Sequence, residues 1–191
     1  LDLNGKTVKN SGGGTNVIRI GPSNSPANLI ITGRGSFTSG DQVLVVENGT
    51  LDLSQWTGDD SYIRNVTISG ANSRFISPTG AGKIDRLAFT GSDTGQAADT
   101  ASLNGGRYYE IVYKRDKTIK LGDLLAEGYA YQTQDGALVK LSEMNANTAV
   151  TVVKCSHPDD PSGGNVCPCC GYAAAVTKTD GSISYHPTAA A

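Results

Sequence analysis

An all-β chain wound as a solenoid is the fold this sequence predicts, and three observations carry that reading. Glycine is abundant, at 24 of 191 residues, while aromatic residues make up only 6%. That balance, with frequent Ser, Thr and Asn, suits many short strands joined by turns. Short apolar runs alternate with turn signals through the first half of the chain, and some of those runs repeat.

The runs are Leu1-Asp-Leu3, Val17-Ile-Arg-Ile20, Leu29-Ile-Ile31, Val43-Leu-Val-Val46, Leu51-Asp-Leu53, Tyr62-Ile63, Val66-Thr-Ile68, Phe75-Ile76, Leu87-Ala-Phe89 and Leu103. Between them stand breaks such as Asn4-Gly5, Gly21-Pro22, Asn48-Gly49, Gly70, Gly91 and Asn104-Gly105-Gly106. Glycine and Asn tolerate the backbone angles that tight corners need. Strands this short make weak hairpins by themselves.

Repetition supplies the organisation. Leu1-Asp-Leu-Asn-Gly, Val46-Glu-Asn-Gly-Thr-Leu-Asp-Leu-Ser and Ala101-Ser-Leu-Asn-Gly-Gly share one frame. Leu29-Ile-Ile-Thr-Gly, Val66-Thr-Ile-Ser-Gly and Leu87-Ala-Phe-Thr-Gly share another. From Leu29 to Val66 is 37 residues and from Val66 to Leu87 is 21, which predicts two coils and then one. A period of about 20 residues is a solenoid rhythm. A β-sandwich with the same strand lengths is the alternative.

These segments, over residues 1–106, resemble right-handed parallel β-helices, in particular the irregular coils of large secreted or surface proteins of bacteria. The resemblance implies an extracellular or cell-surface setting and a chain that is part of a larger one. It also implies a rigid face available to a polysaccharide or a surface protein.

Residues 107–153 change character. Arg107-Tyr-Tyr-Glu-Ile-Val-Tyr113 predicts a longer strand with Tyr109, Ile111 and Tyr113 on one face and Tyr108, Glu110 and Val112 on the other. Leu121 to Gly128 suits one or two helical turns, with Asp123 as cap and Gly128 as stop. Tyr129-Ala-Tyr-Gln-Thr and Ala137-Leu-Val-Lys-Leu141 flank Gln134-Asp-Gly136, a hairpin signal, and Ala149 to Val153 predicts a last strand. The Tyr-Ala-Tyr segment resembles pieces that follow such coils in surface proteins of gut bacteria. The region reads as a cap over the open end of the coils, which would otherwise present unpaired edges. Tyr108, Tyr109, Tyr113, Tyr129 and Tyr131 are also candidates for a platform on which a sugar stacks.

Residues 154–191 hold all four cysteines and both histidines. Cys155-x-His157 and, beyond a loop, Cys167-x-x-Cys170 form two ligand pairs with the spacing logic of a structural zinc site. A closed set of Cys155, His157, Cys167 and Cys170 leaves no position for water or substrate, so it would staple the chain and not catalyse. In Cys-Pro-x-Cys-Gly the Pro stiffens the turn and Gly171 lets backbone amides face the sulfurs. The stretch resembles the knuckle of zinc-ribbon modules, and two strands about Asp180-Gly181 extend that likeness. Cys169 stands inside the knuckle as a spare thiol, an alternative ligand or half of a disulfide. His186 is a substitute ligand for His157, and Asp159 and Asp160 suit a solvated loop. Two disulfides are the competing use of four cysteines.

The totals narrow the partners. Sixteen basic against eighteen acidic residues give a net charge of −2, with no basic run, which argues against nucleic acid. No apolar run approaches the ~18 residues of a membrane-spanning helix. Acids that could serve a polysaccharide lyase or hydrolase on such coils are Asp41, Asp52, Asp59, Asp60, Asp85, Asp93 and Asp99, and only Asp59 and Asp60 adjoin. None sits in a catalytic motif. Asn48-Gly-Thr50 and Asn65-Val-Thr67 match the glycosylation pattern but carry no weight in a bacterial chain. The expectation is thus a structural or adhesive module with structural zinc, with a carbohydrate-active fragment as its rival.

Overall fold

The computed structural model describes residues 1–9, 16–22, 25–38, 42–91, 100–114, 119–156, 167–171, 173–177 and 183–186. Its strands, in chain order, are β1 (Lys6–Val8), β2 (Asn16–Ile20), β3 (Ala27–Gly33), β4 (Gly35–Phe37), β5 (Gln42–Val46), β6 (Gly49–Trp56) and β7 (Tyr62–Ile68). There follow β8 (Ser73–Ile76), β9 (Lys83–Phe89), β10 (Arg107–Tyr113), a 3-10 turn (Leu121–Leu124), β11 (Tyr129–Gln132), β12 (Val150–Lys154), β13 (Ala173–Thr177) and β14 (Ile183–His186).

Every pairing from β1 to β10 is parallel, and each strand pairs with its counterpart one coil on. The result is a β-solenoid of about three turns. Three walls run along it. Phe37, Ile63, Ile84 and Tyr108 stack in the first wall, and Leu44, Val66, Leu87 and Ile111 in the second. Leu29, Leu51, Phe75 and Ala101 stack in the third.

The separate runs Tyr62-Ile63 and Val66-Thr-Ile68 turn out to be one strand. In the preceding coil β4 meets Tyr62 and Ile63, while β5 meets Val66 to Ile68, so β7 covers two walls. The buried residues Ile63 and Val66, like Ile84 and Leu87 and like Tyr108 and Ile111, stand three apart. Strict alternation would put them two or four apart, so the strand bends between them and turns an extra residue outward. This bend corrects the expected faces of β10: Tyr108 and Ile111 both point in, and Tyr109 points out at 61% exposure.

The glycine repeat marks the next corner. The residue after each second-wall strand donates to the coil below: Glu47 to Ile20, Ser69 to Val46, Thr90 to Ile68 and Lys114 to Phe89, at 2.8–2.9 Å. Coils approach so closely here that a Cβ on Gly70 would lie 1.5 Å from the Glu47 carbonyl oxygen, so only glycine fits. Val66-Gly70 and Leu87-Gly91 are true copies, paired Val66 to Leu87. Leu29-Gly33 is not a copy, because β3 lies in the other sheet and aligns with Leu51 and then Phe75. An apolar strand ending in glycine looks alike on any wall.

Inside, the core is large and apolar. Trp56, Phe37, Phe75, Phe89 and Leu51 are fully buried, and each such side chain gives about 1.5–3 kcal/mol on burial. The Trp56 indole N–H donates to the Gly35 carbonyl at 3.0 Å, so its polar atom is satisfied. At another corner Ser77 Oγ donates to Asn104 Oδ1 at 2.8 Å, a polar contact along the axis.

The closing end reverses direction. β10 pairs with β9 in parallel along one edge and with β12 antiparallel along the other, and β11 pairs antiparallel with β12. β10 therefore belongs to the last coil as well as to the cap, and the expected division at residue 106 falls at the start of a strand shared by both. The 3-10 turn extends the third wall through the Leu103–Leu125 bridge, and the Asp123 carboxylate accepts from the Lys120 N–H at 2.7 Å as its cap. Gln134-Asp-Gly136 does turn the chain, with Gly136 N–H to Thr133 O at 3.1 Å, but the returning segment makes a single bridge, Gln132–Leu138. β13 and β14 form a two-stranded antiparallel sheet, the expected terminal hairpin.

Candidate metal centre

Cys155 follows directly on β12, and its N–H donates to the Gly128 carbonyl at 2.8 Å, which fixes where the thiol emerges. The other three cysteines lie in the Cys167–Cys170 turn. Gly171, at φ +74°, closes that turn with an N–H bond of 2.8 Å to the Cys167 carbonyl. A residue with a side chain adopts that angle at a cost. The turn is tied to the cap by the Leu141 N–H, which donates to the Pro168 carbonyl at 2.8 Å.

These anchors bring Cys155, Cys167 and Cys170 together with all three sulfurs within 4.8 Å of one another. Cys155 Sγ and Cys167 Sγ are 3.7 Å apart. A disulfide needs about 2.05 Å. Thiolates on a tetrahedral ion with zinc–sulfur bonds of about 2.3 Å stand about 3.8 Å apart, so the observed spacing fits a shared ion. All three are buried, and with Cys169, Ala130 and Leu138 they make a small cluster separate from the main core.

The electrostatics divide the thiols into two kinds. Burial pushes the Cys167 thiol up, but the backbone amides of Cys169 and Cys170 and the thiols of Cys170 and Cys155 outweigh it, and its pKa falls below the ordinary value. Amides aimed at a sulfur favour the thiolate that a metal takes. Cys169 goes the other way, pushed up to about 11 by burial and by the negative charge of Cys167 and Cys155. Three cysteines are thus placed to hold a metal ion, and Cys169 is placed to stay protonated beside them. His157, the expected fourth ligand, lies outside the described residues, as do Asp159, Asp160 and the side chain of His186.

The five tyrosines do not share a face. Tyr108 and Tyr131 are core residues whose hydroxyls donate to the Gly105 carbonyl at 2.9 Å and the Leu121 carbonyl at 2.8 Å. Tyr113 packs on Phe89 with ring centroids 5.5 Å apart, and Tyr129 is half-buried against the main core. Only Tyr109 presents its ring to solvent. The burial of Tyr108 was hidden in the sequence because the bend in β10 changes which residues point inward.

The carboxylates of Asp52, Asp60 and Asp85 make structural contacts. Asp60 pairs with Arg34 at 2.8 Å, Asp85 with Lys83 at 3.1 Å and with the Tyr62 hydroxyl, and Asp52 accepts from the Ser54 N–H at 2.8 Å. Asp59 contributes its carbonyl to Arg107 at 2.6 Å. Asp41, Asp93 and Asp99 lie outside the described residues. No protein-family model, curated protein or solved structure matches the chain.

Proposed function

We propose that this chain is a non-catalytic structural and binding module of a bacterial cell-surface or secreted protein, closed at its C-terminal end by a structural zinc ion. The observation that carries the metal is the trio of buried sulfurs within 4.8 Å of one another, one of them turned towards thiolate by two backbone amides. Cys155, Cys167 and Cys170 supply three ligands and His157 the fourth. Bound zinc supplies a fixed tetrahedral node and no reaction, because four protein ligands leave no open position. The solenoid supports the display role: its stacked coils form a stiff body whose outer faces are free to carry contacts.

Native mass spectrometry tests the metal directly. One zinc per chain, lost on chelation together with faster amide exchange at 128–131, 150–155 and 167–171, is the expected result. A chain lighter by two disulfides' worth of hydrogen, with no bound metal, would sink it.

A further inference from the structure

The geometry points to a groove for acidic oligosaccharides on the outside of the closing sheet, centred on Tyr109, Lys83 and Arg107. This deepens the reading of the chain as a binding module but does not depend on the metal. Pairing sets the row: Tyr62 with Lys83, Lys83 with Arg107, Arg107 with Thr151, and Thr151 with Gln132, across five adjacent strands. Their chain neighbours Ile63, Ile84, Tyr108, Val150 and Tyr131 are buried, so the row itself faces out. At a strand spacing of about 4.8 Å the row is about 19 Å long. That length accommodates several sugar rings laid across the strands.

A cavity of about 390 Å³ lies over this row, lined by Lys83, Arg107, Tyr109, Gln132, Gln134 and Thr151 among others, and a second of about 280 Å³ continues past Tyr109. The larger one falls in the size range of ligand sites. Three features select its occupant. The ring of Tyr109, 61% exposed at the bend of β10, is a flat apolar surface of the kind on which a pyranose face rests. Amide and hydroxyl side chains around it offer both donors and acceptors to sugar hydroxyls. Among the described residues, two cations and no carboxylate line the larger cavity, while Asp85 and Glu110 stand beside Lys83 and Arg86 in the smaller one.

Arg107 is held in place by carbonyl oxygens, with Nε to Ala81 at 2.7 Å and Nη2 to Asp59 at 2.6 Å. Those bonds orient the guanidinium without cancelling its charge. Lys83, paired with Arg107 across adjacent strands, is steadied by an ion pair with Asp85 at 3.1 Å and by the Tyr62 ring at 5.5 Å. A peptide adding itself as a strand is disfavoured, because the groove lies on the sheet's face, where the backbone groups already serve the ladder. Recognition must come from side chains, which suits a polyhydroxylated anion.

Isothermal titration of the zinc-checked protein with short oligogalacturonate, oligoalginate, hyaluronan and heparan fragments, each against a carboxyl-esterified counterpart, tests the groove. We expect at least one acidic oligomer to bind about tenfold or more tighter than its ester, with binding weakened by added salt. Tyr109→Ala weakens that binding about tenfold, and Lys83→Gln removes most of the preference for acid over ester. Tyr109 is exposed, so its loss leaves the fold intact. Failure of every acidic oligomer to bind, equal affinity for acid and ester, or binding indifferent to both substitutions overturns the groove. The same samples weigh the metal separately: zinc present without glycan binding refutes only the groove, and glycan binding without zinc refutes only the staple.

Discussion

Two clusters of buried side chains hold this molecule, and they do so by different physics. The main core runs from Leu3 to Val152 and is built of Trp, Phe, Leu, Ile and Val stacked coil upon coil. The second contains one alanine and four cysteines, with Leu138 leaning on it. The first supplies its own stability through apolar area removed from water. The second has little such area, and its three clustered sulfurs are placed to hold a metal ion, which would stabilise by binding the folded arrangement and not the unfolded one. Apolar burial suffices for the coils, while the small cluster offers ligands for a cross-link in its place.

The sharpest way to test that contrast is to damage the main core. Phe75→Ala, which empties the centre of the third wall, should cost about 3–5 kcal/mol of unfolding free energy. The single Trp56, fully buried, reports the loss through its fluorescence during denaturant titration. A cost below about 1 kcal/mol would show that the coils are not the stabilising unit.

Metal removal should then leave the Trp56 signal and midpoint unchanged while thiol labelling and amide exchange rise at the C-terminal end. Cys167→Ser should weaken zinc binding by about a hundredfold or more, whereas Cys169→Ser, which removes a protonated thiol, should keep it. Equal damage from both would mean that Cys169 is a ligand.

Alkali probes the main core through Tyr108 and Tyr131, which both belong to it. Burial holds both phenols well above their ordinary value of 10.0. A raised phenol pKa means that the folded state favours the neutral form. The corresponding stability is complete below about pH 10 and is lost as pH climbs from there towards the folded values. Tyr108→Phe and Tyr131→Phe should flatten that alkaline slope in thermal melts between about pH 9 and 12.

The smallest effect belongs to Asp60→Asn. The Asp60 carboxyl is held below its usual range by the hydrogen bond from Arg34, with a backbone bond and the Arg34 charge behind it, yet the pair is solvent-exposed. Water and salt screen such pairs, so the melting temperature should not move measurably. Loss of a glycan-cleaving activity in this variant would instead favour the enzyme reading.

The coils were legible because their cause is local: small corners, short apolar runs and the Val66–Leu87 spacing all stand in the sequence. The alignment of Leu29 with Leu51, and not with Val66, was not legible. It depends on which wall a strand occupies, and apolar strands ending in glycine are alike on every wall. Cys155, Cys167 and Cys170 could be read as partners because ligand chemistry is rare in the chain and their spacing is short. The tyrosines misled for the opposite reason: alternation gives a strand's faces only while the strand is straight, and β10 bends between Tyr108 and Ile111. Lys83, Arg107, Thr151 and Gln132 gave no signal at all, since pairing across four strands is what makes them neighbours.

The reversal at β12 also governs how length can vary. Among the described residues the closing strands pair with the last coil, at Gly106, Arg107 and Tyr108, and with no earlier one. Because Val66 and Leu87 occupy equivalent positions, excising the segment from one to the other removes a whole coil and brings matching walls into contact. Such a shortened chain keeps its terminus and its outer groove's antiparallel half. Coil number in this architecture is therefore a heritable dimension, open to gain or loss by recombination between repeats, while the end is fixed.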